Sequence, residues 1–312
     1  MHAPPTPNLR SWRDFHEDPM FLVPTRKLLT PETKIFAMGS CFALELCNAL
    51  VDAGREVFPE YRKIPYDPVR QIYGNIPKRY ALTYFDTFNM LQELEGVLGL
   101  WTDREASFCS VRDRPANRDL KREIVFQDPL RKLVYSTTPK LLYELSKRID
   151  AVIREGLDQA DVFIFTLGLT EAWRHTVTGR WLCTAPGAVL GGAETLGMFH
   201  RSTFAENYNN VRAMIDLLAA RYPNKPVVLS VSPVHLENTF VNTDVGTASM
   251  ESKSILRAVA GQIAREYPHV IYFPAYEMAH FWRAHPVFLP DGRHVTSAFA
   301  GRVIGTFLDA FS

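Results

Sequence analysis

The sequence predicts an α/β fold in which helices cover both faces of a mainly parallel β-sheet. Two observations support this class: short, nearly continuous apolar runs typical of strands buried on both faces, and amphipathic helical segments that alternate with them. The chain has 312 residues, 46% of them hydrophobic and 22% charged. That composition is typical of a globular protein with a sizeable core.

The first strand follows residues 1–30, a proline-rich stretch that predicts an irregular N-terminal arm. Residues 34–38 form an apolar run, and Gly39-Ser40 comes directly after it. Apolar side chains then recur at helical spacing until Gly54, which predicts that a helix ends there. This segment is therefore one strand–turn–helix unit.

Later segments repeat the alternation of strand and helix. Further strands are predicted over residues 161–166, 226–232 and 270–273. Helices are predicted over residues 204–222, 252–267 and 297–311. The doubly wound arrangement that results places any ligand site beyond the carboxyl ends of the strands.

Residues 61–157 interrupt this pattern. Helical runs at 86–98 and 139–157 are separated by a polar, arginine-rich stretch. We interpret this part as a large helical insertion in one domain that spans residues 31–312, and we expect it to cover the active site.

Composition and short motifs exclude several classes of function. The formal charge is +1, from 35 basic and 34 acidic residues, which gives no electrostatic reason to expect a nucleic-acid partner. No apolar run is long enough to predict a transmembrane segment, and the N-terminus lacks a secretory signal, so a cytoplasmic location is expected. Neither the four cysteines nor the histidines have metal-site spacing, and nucleotide-binding glycine motifs are lacking. We predict no metal and no cofactor.

Two segments carry candidate catalytic residues. Ser40 lies where the first strand ends and a helix begins, so it is either a nucleophile or simply the N-cap of that helix. Asp291 precedes His294 by three residues, which allows a base and the carboxylate that orients it to share one loop, although a turn with a surface histidine gives the same pattern. Cys41 is an alternative nucleophile. Lys253 is expected on a solvated helix face, where it could also attract an anionic substrate.

The motif at residues 39–43 resembles a known family. These residues read Gly-Ser-Cys-Phe-Ala, the signature of the GSCFA-domain family within the SGNH (GDSL-like) hydrolase superfamily. Similar blocks follow in family order at residues 66–75, 166–173, 230–234, 252–254, 272–277 and 291–294. The resemblance implies a flavodoxin-like, three-layer α/β/α SGNH hydrolase fold and esterase or O-acyltransferase chemistry.

The resemblance also implies roles for individual residues. Ser40 would be the nucleophile, His294 the general base and acid, and Asp291 its orienting partner, with the Ser40 N–H as one oxyanion donor. We predict hydrolysis or transfer of acyl groups, with O-acetyl groups on carbohydrate as the expected substrate. The alternative is a catalytically silent protein that binds a glycan or a partner in polysaccharide assembly.

The third block departs from the superfamily pattern GxND. It begins at Gly168 and has Thr170 and Glu171 where asparagine and aspartate are expected. Thr170 could donate a hydrogen bond to an oxyanion, whereas an ionised Glu171 would oppose one. Gly74 and Asn75 are candidates for the missing donor. His235, at a strand end, could contact substrate or be an ordinary loop residue.

Overall fold

The structure is a computed structural model of the chain. It describes residues 11–17, 21, 23, 26–60, 63, 82–112, 124–132, 134–186, 194–283 and 286–312. The strands are β1 (Lys34–Gly39), β2 (Glu56–Phe58), β3 (Cys109–Arg112), β4 (Ile124–Gln127), β5 (Tyr135–Ser136), β6 (Val162–Leu167), β7 (Glu171–His175), β8 (Trp181–Leu182), β9 (Gly197–Arg201), β10 (Val227–Val231) and β11 (Val270–Phe273). The α-helices are α1 (Trp12–Glu17), α2 (Cys41–Asp52), α3 (Thr87–Val97), α4 (Pro139–Gln159), α5 (Phe204–Arg221), α6 (Val245–Glu266), α7 (Ala275–Phe281) and α8 (Ser297–Phe311).

A five-stranded sheet forms the centre of the molecule. Its strand order is β11-β10-β6-β1-β2, and all four neighbouring pairs are parallel. The strand order reverses beside β1, so the crevice at the carboxyl ends of β1 and β6 is the expected ligand position for such a sheet. The predicted α/β class and parallel sheet are confirmed.

Helices pack on both faces of this sheet and make three layers. Alternate residues of β1 enter opposite cores, because successive strand side chains point to opposite faces. Phe36 and Met38 join the core built with α3, α4, α5 and α6, whereas Ile35 and Ala37 join the core built with α2, α7 and α8.

The stretch between β2 and β6, which the sequence analysis interprets as an insertion, contributes helices and a small antiparallel sheet. Its helices α3 and α4 form where the apolar spacing predicts them, with Asp86 and Thr138 as N-caps. The segment before α3 runs along the carboxyl edge of the central sheet, since the Tyr84 N–H donates to the Gly39 carbonyl at 2.8 Å. The Phe85 carbonyl accepts from the Leu169 N–H at 2.7 Å. Part of the insertion therefore borders the expected ligand crevice.

Three features of the fold differ from the sequence-based expectations. Helix α6 begins at Val245, well before the predicted residue 252. The sequence does not reveal this start, because the first turns bury the polar residues Ser249, Ser252 and Lys253 and so lack apolar periodicity. Helix α1 lies in the segment expected to be irregular. Two small sheets, β3-β4-β5 and β8-β7-β9, arise from strands of two to five residues, which are too short to give a clear alternation. No described helix has the length and apolarity required to span a bilayer.

Candidate active site

Ser40 lies at the carboxyl end of β1 and is the N-cap of α2. Its backbone is extended, and its Oγ accepts a 3.4 Å hydrogen bond from the Phe42 N–H. The residue is 3% exposed. The capping role expected for a serine here is therefore present, and it leaves the hydroxyl at the edge of the sheet where a substrate would bind.

Gly39 allows the turn into this position. Its φ is +149°, and a Cβ at this residue would lie 2.4 Å from the Thr166 carbonyl oxygen on the neighbouring strand. Only glycine fits such a close approach between two backbones. The glycine in the first block is thus explained by the packing of β1 against β6.

Asp291 and His294 form a hydrogen-bonded pair on one turn. The Asp291 Oδ2 lies 2.5 Å from His294 Nδ1, and its Oδ1 accepts from the backbone N–H groups of Arg293 and His294 at 2.9 and 3.0 Å. The hydrogen bond with His294 and the two backbone N–H groups lower the pKa of Asp291 to about 2. The carboxylate therefore stays ionised at neutral pH and holds the imidazole by its Nδ1, which leaves Nε2 for other partners.

The structure does not join Ser40 to this pair by a hydrogen bond. Among the described residues, the Ser40 hydroxyl has its contact with the Phe42 N–H and the His294 ring has its contact with Asp291. The side chains of Asp291 and His294 are 44% and 47% exposed. An exposed loop of this kind can shift when substrate binds, and hydrogen bonds of catalytic groups are often long or absent without ligand.

The Asp291 loop is attached to the same edge of the sheet through the segment after β10. The Arg293 Nε donates to the His235 carbonyl at 3.4 Å, and the His235 ring packs on Phe288 with centroids 4.8 Å apart. The His235 Nδ1 lies 3.2 Å from the Ser249 hydroxyl. His235 is therefore held between α6 and this loop.

Two of the donors expected for an oxyanion hole, the Ser40 N–H and the Thr170 hydroxyl, are already engaged. The Ser40 N–H donates to the Thr166 carbonyl at 3.3 Å. The Thr170 hydroxyl donates to the Ser252 Oγ at 3.0 Å, and the Thr170 N–H donates to the same oxygen at 2.7 Å. Neither group is free to bind an oxyanion unless these hydrogen bonds rearrange.

The Glu171 carboxylate is engaged with another loop. Its Oε1 accepts from the Thr239 hydroxyl at 2.5 Å, and its Oε2 accepts from the Phe240 N–H at 3.0 Å. Glu171 therefore anchors the segment between β10 and α6.

Lys253 is a buried residue of this edge that the sequence placed on a solvated face. It is 1% exposed, and its Nζ donates to the Gly168 carbonyl at 2.7 Å. Burial lowers its pKa from 10.5 to about 7, and Cys41 acts in the opposite direction. Helical periodicity could not reveal this, since Arg257, one turn later, is 40% exposed and paired with Glu277.

The pKa of His235 is lowered, first by burial and then by the positive charges of Lys253 and Arg293. One of these charges comes from α6 and the other from the Asp291 loop. These groups are close enough to influence one another electrostatically, so Cys41, Lys253, His235 and Arg293 mark one continuous region of the sheet edge.

A small cavity adjoins Ser40. Its volume is about 30 Å³, and its lining includes the side chains of Met38, Ala43 and Phe58. A single water needs about 10–15 Å³ by this measure, so the cavity has room for roughly two groups the size of a water molecule.

Two predicted site residues and the question of a metal site remain. Gly74 and Asn75 are not among the described residues. Within the described ranges, no group of three or more histidine, cysteine or acidic side chains has an arrangement that could hold a metal ion.

Comparison with known proteins adds a family match and a distant structural likeness. The GSCFA family matches residues 34–307 of this chain. A solved structure described as that of "a putative platelet activating factor" from Streptococcus pneumonia has a TM-score of 0.39 and 12% identity, covering 89% of this chain and 83% of its own. None of the curated proteins matches.

Proposed function

We propose, since this chain belongs to the GSCFA family, that it is a serine-dependent acyl ester hydrolase or O-acyltransferase that works through a Ser40 acyl-enzyme. The observation that supports the proposal is the hydrogen-bonded pair of Asp291 and His294, on a loop that Arg293 attaches to the segment after β10. A hydroxyl is a weak nucleophile, and an imidazole fixed by an ionised carboxylate is the base that activates it near neutral pH.

The proposed reaction has two steps. In the first, the Ser40 Oγ bonds to the acyl carbon, its proton passes to His294 Nε2, and the carbonyl electron pair moves onto oxygen. Collapse of this intermediate re-forms the carbonyl and breaks the bond to the leaving alcohol, which takes the proton from His294. In the second, water or an acceptor hydroxyl attacks the acyl-enzyme in the same manner, which gives hydrolysis or transfer. The proton transfer from Ser40 in the first step requires the exposed loop to bring His294 Nε2 within hydrogen-bond distance of the Ser40 Oγ.

The substrate class we propose is an O-acetyl ester of a carbohydrate. The family resemblance supports the carbohydrate, and the 30 Å³ cavity beside Ser40 supports a short acyl group. Activity on p-nitrophenyl esters should therefore fall as the acyl chain is lengthened from acetyl to butyryl and octanoyl.

A fluorophosphonate probe tests the nucleophile directly. We expect one covalent adduct, mapped to Ser40 by mass spectrometry and lost in Ser40→Ala. Ser254→Ala is the matched control, because Ser254 is an exposed serine of α6. Loss of reactivity in Cys41→Ala with full reactivity in Ser40→Ala would assign the chemistry to the thiol instead.

The engaged donors favour one competing function, a binding protein without catalysis. The Ser40 N–H and the Thr170 hydroxyl already have acceptors, and no hydrogen bond joins Ser40 to His294 among the described residues. Glycan binding together with no probe labelling and no turnover of p-nitrophenyl acetate would support that function and overturn the enzyme.

A further inference from the structure

Lys253 is a buried cation with an incomplete set of partners. Its ammonium has three N–H donors, and the Gly168 carbonyl, at 2.7 Å, accepts one of them. Within the described part of the chain no carboxylate forms an ion pair with it. Burying an ammonium without a counter-charge is costly, so the fold places a positive charge here without the neutralisation that buried charges usually have.

The position of this charge relates it to Ser40. Gly168 lies two residues beyond Thr166, which pairs with Gly39 in the sheet. With strand rises of about 3.3 Å and strand spacings of about 4.8 Å, the ammonium lies within roughly 10 Å of the Ser40 side chain. Its electrostatic neighbours are Cys41 at the start of α2 and His235 after β10.

Among the described residues, the donors expected to stabilise an oxyanion are engaged elsewhere, and a positive charge could take their place. Acyl transfer creates a negative charge on the acyl oxygen, and preorganised donors or charges that stabilise it are usually the largest contribution to such catalysis. The third block has no asparagine, and both the Ser40 N–H and the Thr170 hydroxyl are engaged.

We propose that the Lys253 ammonium supplies the positive charge that stabilises the oxyanion formed at Ser40, in place of the missing asparagine. This inference rests on the proposed function. It predicts that Lys253 must be protonated for catalysis, so activity falls as pH rises above the lysine's pKa of about 7.

The experiment compares three variants of Lys253 in the full chain with p-nitrophenyl acetate. Lys253→Met removes charge and hydrogen bond, Lys253→Gln keeps an N–H donor for the Gly168 carbonyl without the charge, and Lys253→Arg keeps the charge. Attraction between this charge and an oxyanion about 10 Å away, at an effective dielectric constant of about 20, changes kcat by roughly 15-fold. We expect that loss, with KM changed less than about threefold, in the Met and Gln variants and partial recovery in the Arg variant.

Arg257→Met is the matched control, because Arg257 lies one turn further along α6 and its partner is Glu277. It should leave kcat unchanged. The pH profile separates electrostatic stabilisation from a structural role: the fall in wild-type kcat above about pH 7 should disappear in Lys253→Met. Near-ultraviolet circular dichroism checks that each variant is folded.

Three outcomes overturn the inference, and they are distinguishable. If wild-type protein reacts with ester and fluorophosphonate and Lys253→Met reacts at the same rate with the same pH profile, the inference fails and the proposed function stands. An increase of activity through pH 7 that requires Lys253 would identify it as a neutral base. If the wild type reacts with neither probe, the proposed function fails and this inference fails with it.

Discussion

Replacing Lys253 by methionine should stabilise the protein at neutral pH, and the gain should shrink as pH rises. Burial lowers the pKa of this lysine from 10.5 to about 7 in the folded chain. Because each pH unit of difference corresponds to about 1.4 kcal/mol, holding the ammonium in the fold costs about 5 kcal/mol relative to an exposed lysine. The Gly168 carbonyl loses its partner in the variant, which costs about 1–3 kcal/mol. The net expectation is a gain of about 2–4 kcal/mol at pH 7.

The pH dependence follows from proton uptake on unfolding. The folded-state pKa lies below the unfolded value, so between about pH 7 and 10.5 the unfolded chain binds more protons than the folded one. Wild-type stability should therefore rise with pH in that window, by about 2 kcal/mol between pH 7 and 9 from this residue alone. The advantage of Lys253→Met should therefore shrink by about 2 kcal/mol between pH 7 and pH 9.

Urea unfolding of wild type and Lys253→Met at pH 6, 7, 8 and 9 measures this difference. Burial raises the pKa of Asp86 to about 7, but that carboxyl is present in both proteins, so the difference between them isolates the lysine. A difference in unfolding free energy that stays constant from pH 7 to 9 would refute the reasoning, because it would mean that Lys253 titrates as an exposed lysine does.

Three further substitutions test the packing around the site and the insertion. Gly39→Ala should lower the unfolding free energy by at least about 3 kcal/mol, because the new Cβ would meet the Thr166 carbonyl. Its control is Gly54→Ala, where φ is also positive but no atom lies near the new Cβ, and it should cost about 1 kcal/mol. Equal losses in urea unfolding would contradict this. Thr166→Val should be neutral or stabilise by up to about 1 kcal/mol, because the buried Thr166 hydroxyl has no hydrogen-bond partner among the described residues. A clear loss in the same assay would show that it has one. Glu93→Gln should cost about 3–5 kcal/mol, because Glu93 is the buried carboxylate shared by the Arg131 and Arg104 guanidinium groups, and Arg131 would keep only the partly exposed Asp150 as an ion-pair partner. A thermal midpoint within a degree or two of wild type would exclude that cost.

The lysine also shows how stability and function can oppose each other in this site. A methionine at position 253 should give a more stable protein at pH 7 and, on the inference above, a much slower enzyme. Buried charges that destabilise a fold are often retained where activity depends on them. Measuring both properties on the same variants tests the two arguments together.

The main elements of the central domain were readable from the sequence, because their signals are local. The apolar run that ends at Gly39 predicts β1, and the capping box formed by Thr203 and Glu206 marks the start of α5. The spacing of Asp291 and His294 on one turn likewise predicts a pair that can hydrogen-bond. The Asp291 Oδ2 and the His294 Nδ1 lie 2.5 Å apart. Such features depend on residues a few positions apart.

Other features were not readable, because they depend on which distant segments meet. Nothing local distinguishes Lys253, which is buried against Gly168, from Arg257, whose side chain is 40% exposed on the same helix. The engagement of the Thr170 donors by Ser252 joins residues 82 positions apart. Neither could be inferred from periodicity, since both are set by how α6 docks on the carboxyl edge of the sheet.

The sequence by itself determined the alternation of strands and helices, the serine at the end of β1 and the hydrogen-bonded pair of Asp291 and His294, because each is encoded within one turn or one strand. Only the tertiary structure decided which hydrogen-bond donors at that edge are already engaged and which charge remains without a counter-ion. The physical reason is that burial and partner choice are properties of the packed chain: a side chain's neighbours, and not its place in the sequence, determine its solvation.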